Sequence, residues 1–217
     1  MAYQLEQKMV IGVSSRALFD LTVENEIFEK QGVDAYCRYQ VAHEQEALKP
    51  GPGFRLIQSL LRLNEYCEGK NLVEVIVMSR NSPDTSLRVF NSIKHYQLPI
   101  TRAVLVSGAS LAPYLNAFQT DLFLSAYDDD VQSAIDSGIA AGIICTEVNV
   151  VPFQNKEQKV GSIRIAFDGD AVVFSDESEK IFKLRGLHAF EENEAENAKT
   201  PLAEGPFANF LRKLSDL

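Results

Sequence analysis

The chain has 217 residues, 46% of them hydrophobic and 24% charged, with 21 basic against 30 acidic side chains. That length and composition fit a folded chain with one large domain, or one domain and part of a second, and exclude disordered and fibrous classes. The net charge of −9 argues against general nucleic-acid binding, which needs a basic surface, but leaves room for a small phosphorylated ligand held by a few local donors.

In chain order, MVIGV (9–13) reads as a buried strand. Residues 20–50 follow as a polar, helical stretch in which Ile27, Phe28, Tyr36 and Tyr39 give a partial apolar face. This stretch is longer than a crossover needs. It is either an excursion capping the C-terminal edge of a sheet or a peripheral helical hairpin. PGPG (50–53) punctuates the chain, and GFRLIQSLLRLNEY (53–66) repeats Phe54, Ile57, Leu60, Leu61 and Leu63 at helical spacing. VEVIVM (73–78) is a second strand, and Ser82, Pro83 and Asp84 make a start for the helix TSLRVFNSIKHY (85–96). AVLVS (103–107), DLFLSA (121–126) and GIICTEV (142–148) are three more strands, with DDVQSAIDSGIA (129–140) a helix before the last.

Near-continuous apolar strands alternating with helices predict an α/β fold, a Rossmann-type parallel sheet sandwiched by helices. The expected organisation is an α/β domain over 1–150 and a connector with a further segment over 151–217. In the latter, VPFQNKEQKVGS (151–162) is polar, IRIAF (163–167) reads as a strand, and AFEENEAENAK (189–199) and FANFLRKLSDL (207–217) read as helices. The last 56 residues are too few for an independent core. The strand region 163–174 is expected to join the edge of the first sheet, or to pair with its counterpart in a second molecule to give a homo-oligomer.

Cys37, Cys67 and Cys145 have no metal-ligand spacing, and a sparse, odd set fits a reducing compartment. The N-terminus has no signal-peptide core, and GIAAGIIC (138–145) is too short to span a bilayer. A cytoplasmic protein without a membrane partner is expected. His43 and His188 lack Cys or carboxylate partners at ligand spacing, so zinc is not expected, and His95 sits near a helix end where it could cap carbonyls or stack against Tyr96.

The segment DGDAVVF (168–174) carries the sharpest chemistry. A strand would deliver Asp168 to its C-terminal end, where open parallel sheets bind ligands, with Asp170 two residues on. One carboxylate can attack phosphorus while the other protonates the leaving oxygen and later activates water. Their repulsion favours a divalent cation, and hard oxygen donors suit Mg²⁺. The same spacing recurs at Asp128 and Asp130, where an acid-rich helix N-terminus is the simpler reading. SGAS (107–110) is a small turn that could offer N–H groups to an anion.

IRIAFDGDAVVFSDESEKIF (163–182) resembles the first signature of the haloacid dehalogenase superfamily in the form seen in cytosolic 5′-nucleotidases of type I. VSSRALFD (13–20), QGVDAYCRYQVAHE (31–44), LKPGPGF (48–54), FNSIKHYQLPITRA (90–103), LAPYLNAFQTDLFLSA (111–126) and PLAEGPFANFL (201–211) are similar to the same family. The resemblance implies Mg²⁺-dependent hydrolysis of nucleoside 5′-monophosphates, AMP-like, with Asp168 as nucleophile, Asp170 as acid–base, and both as metal ligands. It also implies that further catalytic elements lie downstream of the matching segment, beyond Leu217. The rival expectation is therefore a truncated, inactive member that binds nucleotide or a partner without turnover. The first domain resembles a degenerate copy of the superfamily fold. Ser14, Ser15 and Arg16 follow its first strand where an aspartate is expected, and Ser79 with Arg80 stands where a phosphate-holding hydroxyl is expected. These five are the candidate phosphate- or substrate-binding residues.

Overall fold

The structure is a computed structural model that describes residues 4–67, 70–145 and 165–217. The chain divides into two compact units, Met1–Ile163 and Arg164–Leu217. In the first, five strands form one parallel sheet: β1 (Met9–Val13), β2 (Val73–Ser79), β3 (Arg102–Leu105), β4 (Leu122–Ser125) and β5 (Ala141–Ile143). Their spatial order is β3-β2-β1-β4-β5, so the fold is the expected α/β sheet flanked by helices. All residues of β1 and β2 are buried, as a strand covered on both faces requires. Register runs from Met9 opposite Val73 to Val13 opposite Val77, which brings the C-terminal ends of β1 and β2 level.

The chain leaves β1 through a short helix α1 (Ser15–Leu18), and α2 (Thr22–Gln31) and α3 (Val33–Ala42) form the polar excursion. It closes where Pro50 bridges Phe19 and the N–H groups of Gly51 and Gly53 donate to the carbonyls of Leu18 (3.0 Å) and Ala17 (2.9 Å). A Cβ on Gly51 would lie 2.7 Å from the Phe19 carbonyl carbon, so PGPG is there for close backbone approach as well as for a turn. Helix α4 (Phe54–Arg62) then packs on β2 and ends in a 3₁₀ turn over Leu63–Tyr66.

Helix α5 (Pro83–His95) starts as the sequence predicts: Ser82 caps it by accepting from the Thr85 N–H, and proline occupies its first turn. This helix holds the return of the excursion at successive turns. Asn91 donates to the Glu44 carbonyl (2.7 Å), Ser92 Oγ accepts from the Leu48 N–H (2.8 Å), and the Tyr96 hydroxyl donates to the Leu48 carbonyl (2.9 Å). Burial pushes the Tyr96 phenol above its ordinary range, which keeps it a donor. Helix α7 (Asp128–Asp136) packs on β4 and β5 with α6 (Ala112–Ala117) beside it, in a core containing Val10, Met78, Leu115, Phe123 and Ala134.

One buried ion pair fixes the excursion to this frame. Arg88 Nη1 of α5 lies 2.6 Å from Glu24 Oε1 of α2, with both side chains under a tenth exposed. The same guanidinium donates through Nε to the Glu46 carbonyl (2.9 Å) and meets Gln40 Oε1 of α3 at 3.4 Å. Each group is therefore paired and hydrogen-bonded, the condition under which a buried charge is tolerated.

The second unit contains a kinked turn over Gly169–Val173 and helices α8 (Glu177–Arg185), α9 (Leu187–Asn197) and α10 (Ala208–Ser215). The two C-terminal helices match the sequence reading. The strand expected at 163–167 does not form over its described part, 165–167, and residues 163 and 164 lie outside the described residues. Nor do residues 165–174 supply a strand to the first sheet, because their backbone is committed to a local loop. The connector expected at 151–162, and the last three residues of the strand expected at 142–148, lie outside the described residues.

Glu24→Gln should lower stability by about 3–5 kcal/mol, because it leaves the Arg88 guanidinium buried without its counter-charge. Urea unfolding followed by far-UV circular dichroism, the chain having no tryptophan, measures this. The double variant Glu24→Leu, Arg88→Met should recover most of the loss. A loss below about 1 kcal/mol for the single variant, the range of exposed pairs, would show that the pair does not hold the excursion in place.

Candidate functional site

Three strands end beside one another at the C-terminal edge of the sheet, and each carries polar residues just past its end. The ends of β1, β2 and β4 and the segments just after them contribute Ser15 and Arg16, Ser79 to Asn81, and Tyr127. The excursion roofs them with Phe28, Val33, Tyr36 and Cys37, enclosing a cavity of about 580 Å³. That is the location and size expected of a small-molecule site in an open parallel sheet. Of the two readings of residues 20–50, the cap over the sheet edge is therefore the observed one.

All five candidate phosphate-binding residues, Ser14, Ser15, Arg16, Ser79 and Arg80, line this cavity. They are not equally available. Ser14 Oγ accepts from the N–H groups of Ala17 (3.2 Å) and Ala126 (3.3 Å), capping α1 and tying β1 to the turn after β4. Ser15 Oγ and Ser79 Oγ share a hydrogen bond at 3.1 Å, and Ser79 Oγ also accepts from the Asn81 N–H (3.2 Å). Arg80 is paired with Asp130, whose carboxylate is almost wholly buried. Arg16 donates to Asn25 Oδ1 (3.1 Å) and lies 5.2 Å over the Tyr127 ring, with no carboxylate partner among the described residues.

The Asp128–Asp130 run divides. Asp128 and Asp129 are exposed in the first turn of α7, the helix-terminus role expected of them, whereas Asp130 turns inward onto Arg80 and the Ser125 hydroxyl (3.5 Å). The SGAS turn is not an anion site. The N–H groups of Ser107, Gly108 and Ala109 are donated to the carbonyls of Asn81 (3.2 Å), Arg80 (2.7 Å) and Val106 (3.0 Å). His95 ends α5 exposed and edge-on to Tyr96 at 4.8 Å, a surface role.

Asn81 and Tyr36 are site residues that sequence reasoning missed. Tyr36 accepts from Gln40 Nε2 (3.1 Å). Burial pushes its phenol above the ordinary range, offset in part by the Gln40 and Asn81 amides. Asn81 bears on that hydroxyl without reaching hydrogen-bonding geometry, so its solvent-shielded Nδ2 is left without an acceptor. Only the position of Asn81 two residues past an apolar strand could have flagged it.

Asp168 and Asp170 belong to the second unit. Neither stands at a strand end. Asp168 caps the kinked turn by accepting from the Gly169 N–H (2.7 Å), and Ala171 beyond it adopts a left-handed φ of 59°. Both carboxylates are exposed, and neither forms an ion pair among the described residues. The loop is held from outside: the N–H groups of Gly205 and Phe207 donate to the carbonyls of Val173 (2.9 Å) and Val172 (3.0 Å), and Ser175 donates to the Ala203 carbonyl (2.8 Å). A Cβ on Gly205 would fall 2.3 Å from the Phe174 oxygen, so glycine is required there. Phe167, Phe207 and the fully buried Phe210 pack beneath, with centroids about 6 Å apart.

Among the described residues no three His, Cys, Asp or Glu side chains gather as a metal site. Two exposed, unpaired carboxylates in one short loop still fit Mg²⁺, which commonly takes one or two protein carboxylates and completes its shell with water and phosphate oxygens. No helix among the described residues is long and apolar enough to cross a membrane.

The chain is 35% identical over 214 residues to human cytosolic 5′-nucleotidase 1B, covering 96% of this chain and 34% of the relative. It thus spans about a third of that relative's length. The 5′-nucleotidase family profile matches residues 1–217, and on that match the chain belongs to the 5′-nucleotidase family.

Proposed function

We propose that this chain takes part in Mg²⁺-dependent hydrolysis of nucleoside 5′-monophosphates, AMP-like, with Asp168 and Asp170 as the reacting pair. The observation that carries the reading is the DGDAV loop itself. It presents two exposed carboxylates, unpaired among the described residues, on a backbone pinned by Gly205 and Phe207.

In this reading an Asp168 carboxylate oxygen attacks phosphorus in line, and the bond to the ribose 5′-oxygen breaks as Asp170 gives that oxygen its proton. The nucleoside leaves. Water then attacks the aspartyl phosphate, Asp170 takes its proton, and the phosphorus–Asp168 bond breaks to release inorganic phosphate. Mg²⁺, when bound by the two carboxylates, supplies charge neutralisation for the phosphate. The exposed position of Asp170 keeps it in exchange with solvent, as a group that donates and then accepts a proton must be. Of the candidate binding residues in the first unit, Ser14 and Arg80 are occupied within the protein, whereas Ser15, Ser79 and Arg16 keep hydrogens to offer an anion in that unit's own cavity.

Asp168→Asn keeps the side-chain shape and removes the attacking oxygen. It should abolish phosphate release from AMP, measured as inorganic phosphate with excess Mg²⁺, while the circular dichroism spectrum stays unchanged. A variant keeping a tenth of parental turnover would overturn the nucleophile assignment. AMP binding by the parent without phosphate release would select the alternative, a family member that binds nucleotide without turnover.

Chelation by EDTA should stop turnover and Mg²⁺ should restore it. Ca²⁺ should support at most a few per cent of the rate, because its larger, looser shell misplaces the in-line geometry. Equal rates with EDTA and with Mg²⁺ would contradict the metal's role.

A further inference from the structure

The cavity of the first unit has the parts of a nucleotide site and lacks the parts of a phosphatase. Its carboxylates, Glu24 and Asp130, are each held by an arginine, Arg88 and Arg80. The end of β1 carries Ser14 and Ser15 where a nucleophilic carboxylate would stand, and no histidine lines the wall to activate either hydroxyl. What is left over is one positive charge and a set of donors. Arg16 has no counter-ion among the described residues, Asn81 Nδ2 is shielded from water with no acceptor, and the Ser15–Ser79 hydroxyl pair has one hydrogen to give. The same lining also carries aromatic rings. Tyr127 is 42% exposed and backed on one face by Arg16, Phe28 is half-exposed, and the two rings of Phe28 and Tyr36 meet edge-on at 6.0 Å.

We infer that this cavity binds a nucleoside 5′-monophosphate without hydrolysing it, as a second nucleotide site lined wholly by residues of the first unit. The phosphate accepts from Asn81 Nδ2, Arg16 and a Ser15 or Ser79 hydroxyl, and so satisfies the orphaned amide and the uncompensated guanidinium together. The base lies against Tyr127 and Phe28, whose exposed rings tolerate any base face. A volume of about 580 Å³ holds a ligand of that size. Because no free carboxylate among the described residues lines the cavity, binding here needs no Mg²⁺. The inference takes from the proposed function only the ligand class, and its test separates the two.

The test is calorimetric titration of AMP into the full-length chain carrying Asp168→Asn and Asp170→Asn, in EDTA. This protein should bind AMP about as tightly as the parent does in EDTA. Adding Asn81→Leu should weaken binding roughly 10- to 100-fold, the usual effect of losing a hydrogen bond to a charged group. Tyr127→Ala, at an exposed position where folding is not at stake, should weaken it by at least about fivefold. Inorganic phosphate alone should bind more weakly than AMP. Loss of AMP binding in the Asp168/Asp170 variant would place the nucleotide at the DGDAV loop and overturn the inference while leaving the nucleotidase reading intact. Unchanged binding in both Asn81→Leu and Tyr127→Ala would also overturn it. Retained, cavity-dependent binding in a parent that releases no phosphate would support it and remove the hydrolytic reading.

Discussion

The buried pairing of Arg88 with Glu24 is the constraint on which the first unit's cavity depends. Neither charge could sit away from water alone, and each is accepted only because the other is at 2.6 Å and Gln40 and the Glu46 carbonyl complete the guanidinium's bonds. A polar stretch of about thirty residues that would otherwise have little to bury is thereby held above the strand ends. The consequence is a roofed cavity rather than an open sheet edge. PGPG completes the arrangement by letting the chain return within backbone contact of Phe19, so the excursion is closed at its base as well as clamped along its length.

Inside that cavity charge is balanced in layers. The two carboxylates are each neutralised by a guanidinium, so of the two arginines proposed from the sequence as phosphate ligands, Arg80 is engaged within the protein and Arg16 has no counter-ion among the described residues. The second unit solves a different problem. Its two aspartates are exposed, and the loop that carries them is held by the Gly205–Phe207 backbone, three phenylalanines and the cap that Asp168 makes to the Gly169 N–H. Exposed carboxylates without an ion-pair partner among the described residues, on a pinned backbone, and paired charges under a clamped cap, are the two arrangements in this chain.

Much of the first unit was legible in the sequence because its signals are strong and local. Five apolar runs became five strands, and Ser82-Pro83 marked the start of α5. Ser15, Arg16 and Ser79 were legible as residues at the strand-end cavity because open parallel sheets gather polar groups at their strand ends. Asn81, Tyr36 and the inward turn of Asp130 were not, because each depends on contacts 40 or more residues away in the chain. The misreading at 165–167 has a physical source. An alternating apolar stretch predicts a strand only if a partner strand is at hand, and here Phe167 instead packs on Phe207 and Phe210 while the following residues close a loop.

Hydrogen exchange of the full-length chain with and without AMP, in EDTA, tests the central claim most directly, namely that the clamped cap and the strand ends form a ligand site of their own. The account predicts slowed exchange over residues 14–16 and 79–82 and over the cap from 24 to 37, with no change at 168–174. Protection confined to 168–174, with the cap exchanging as before, would contradict it.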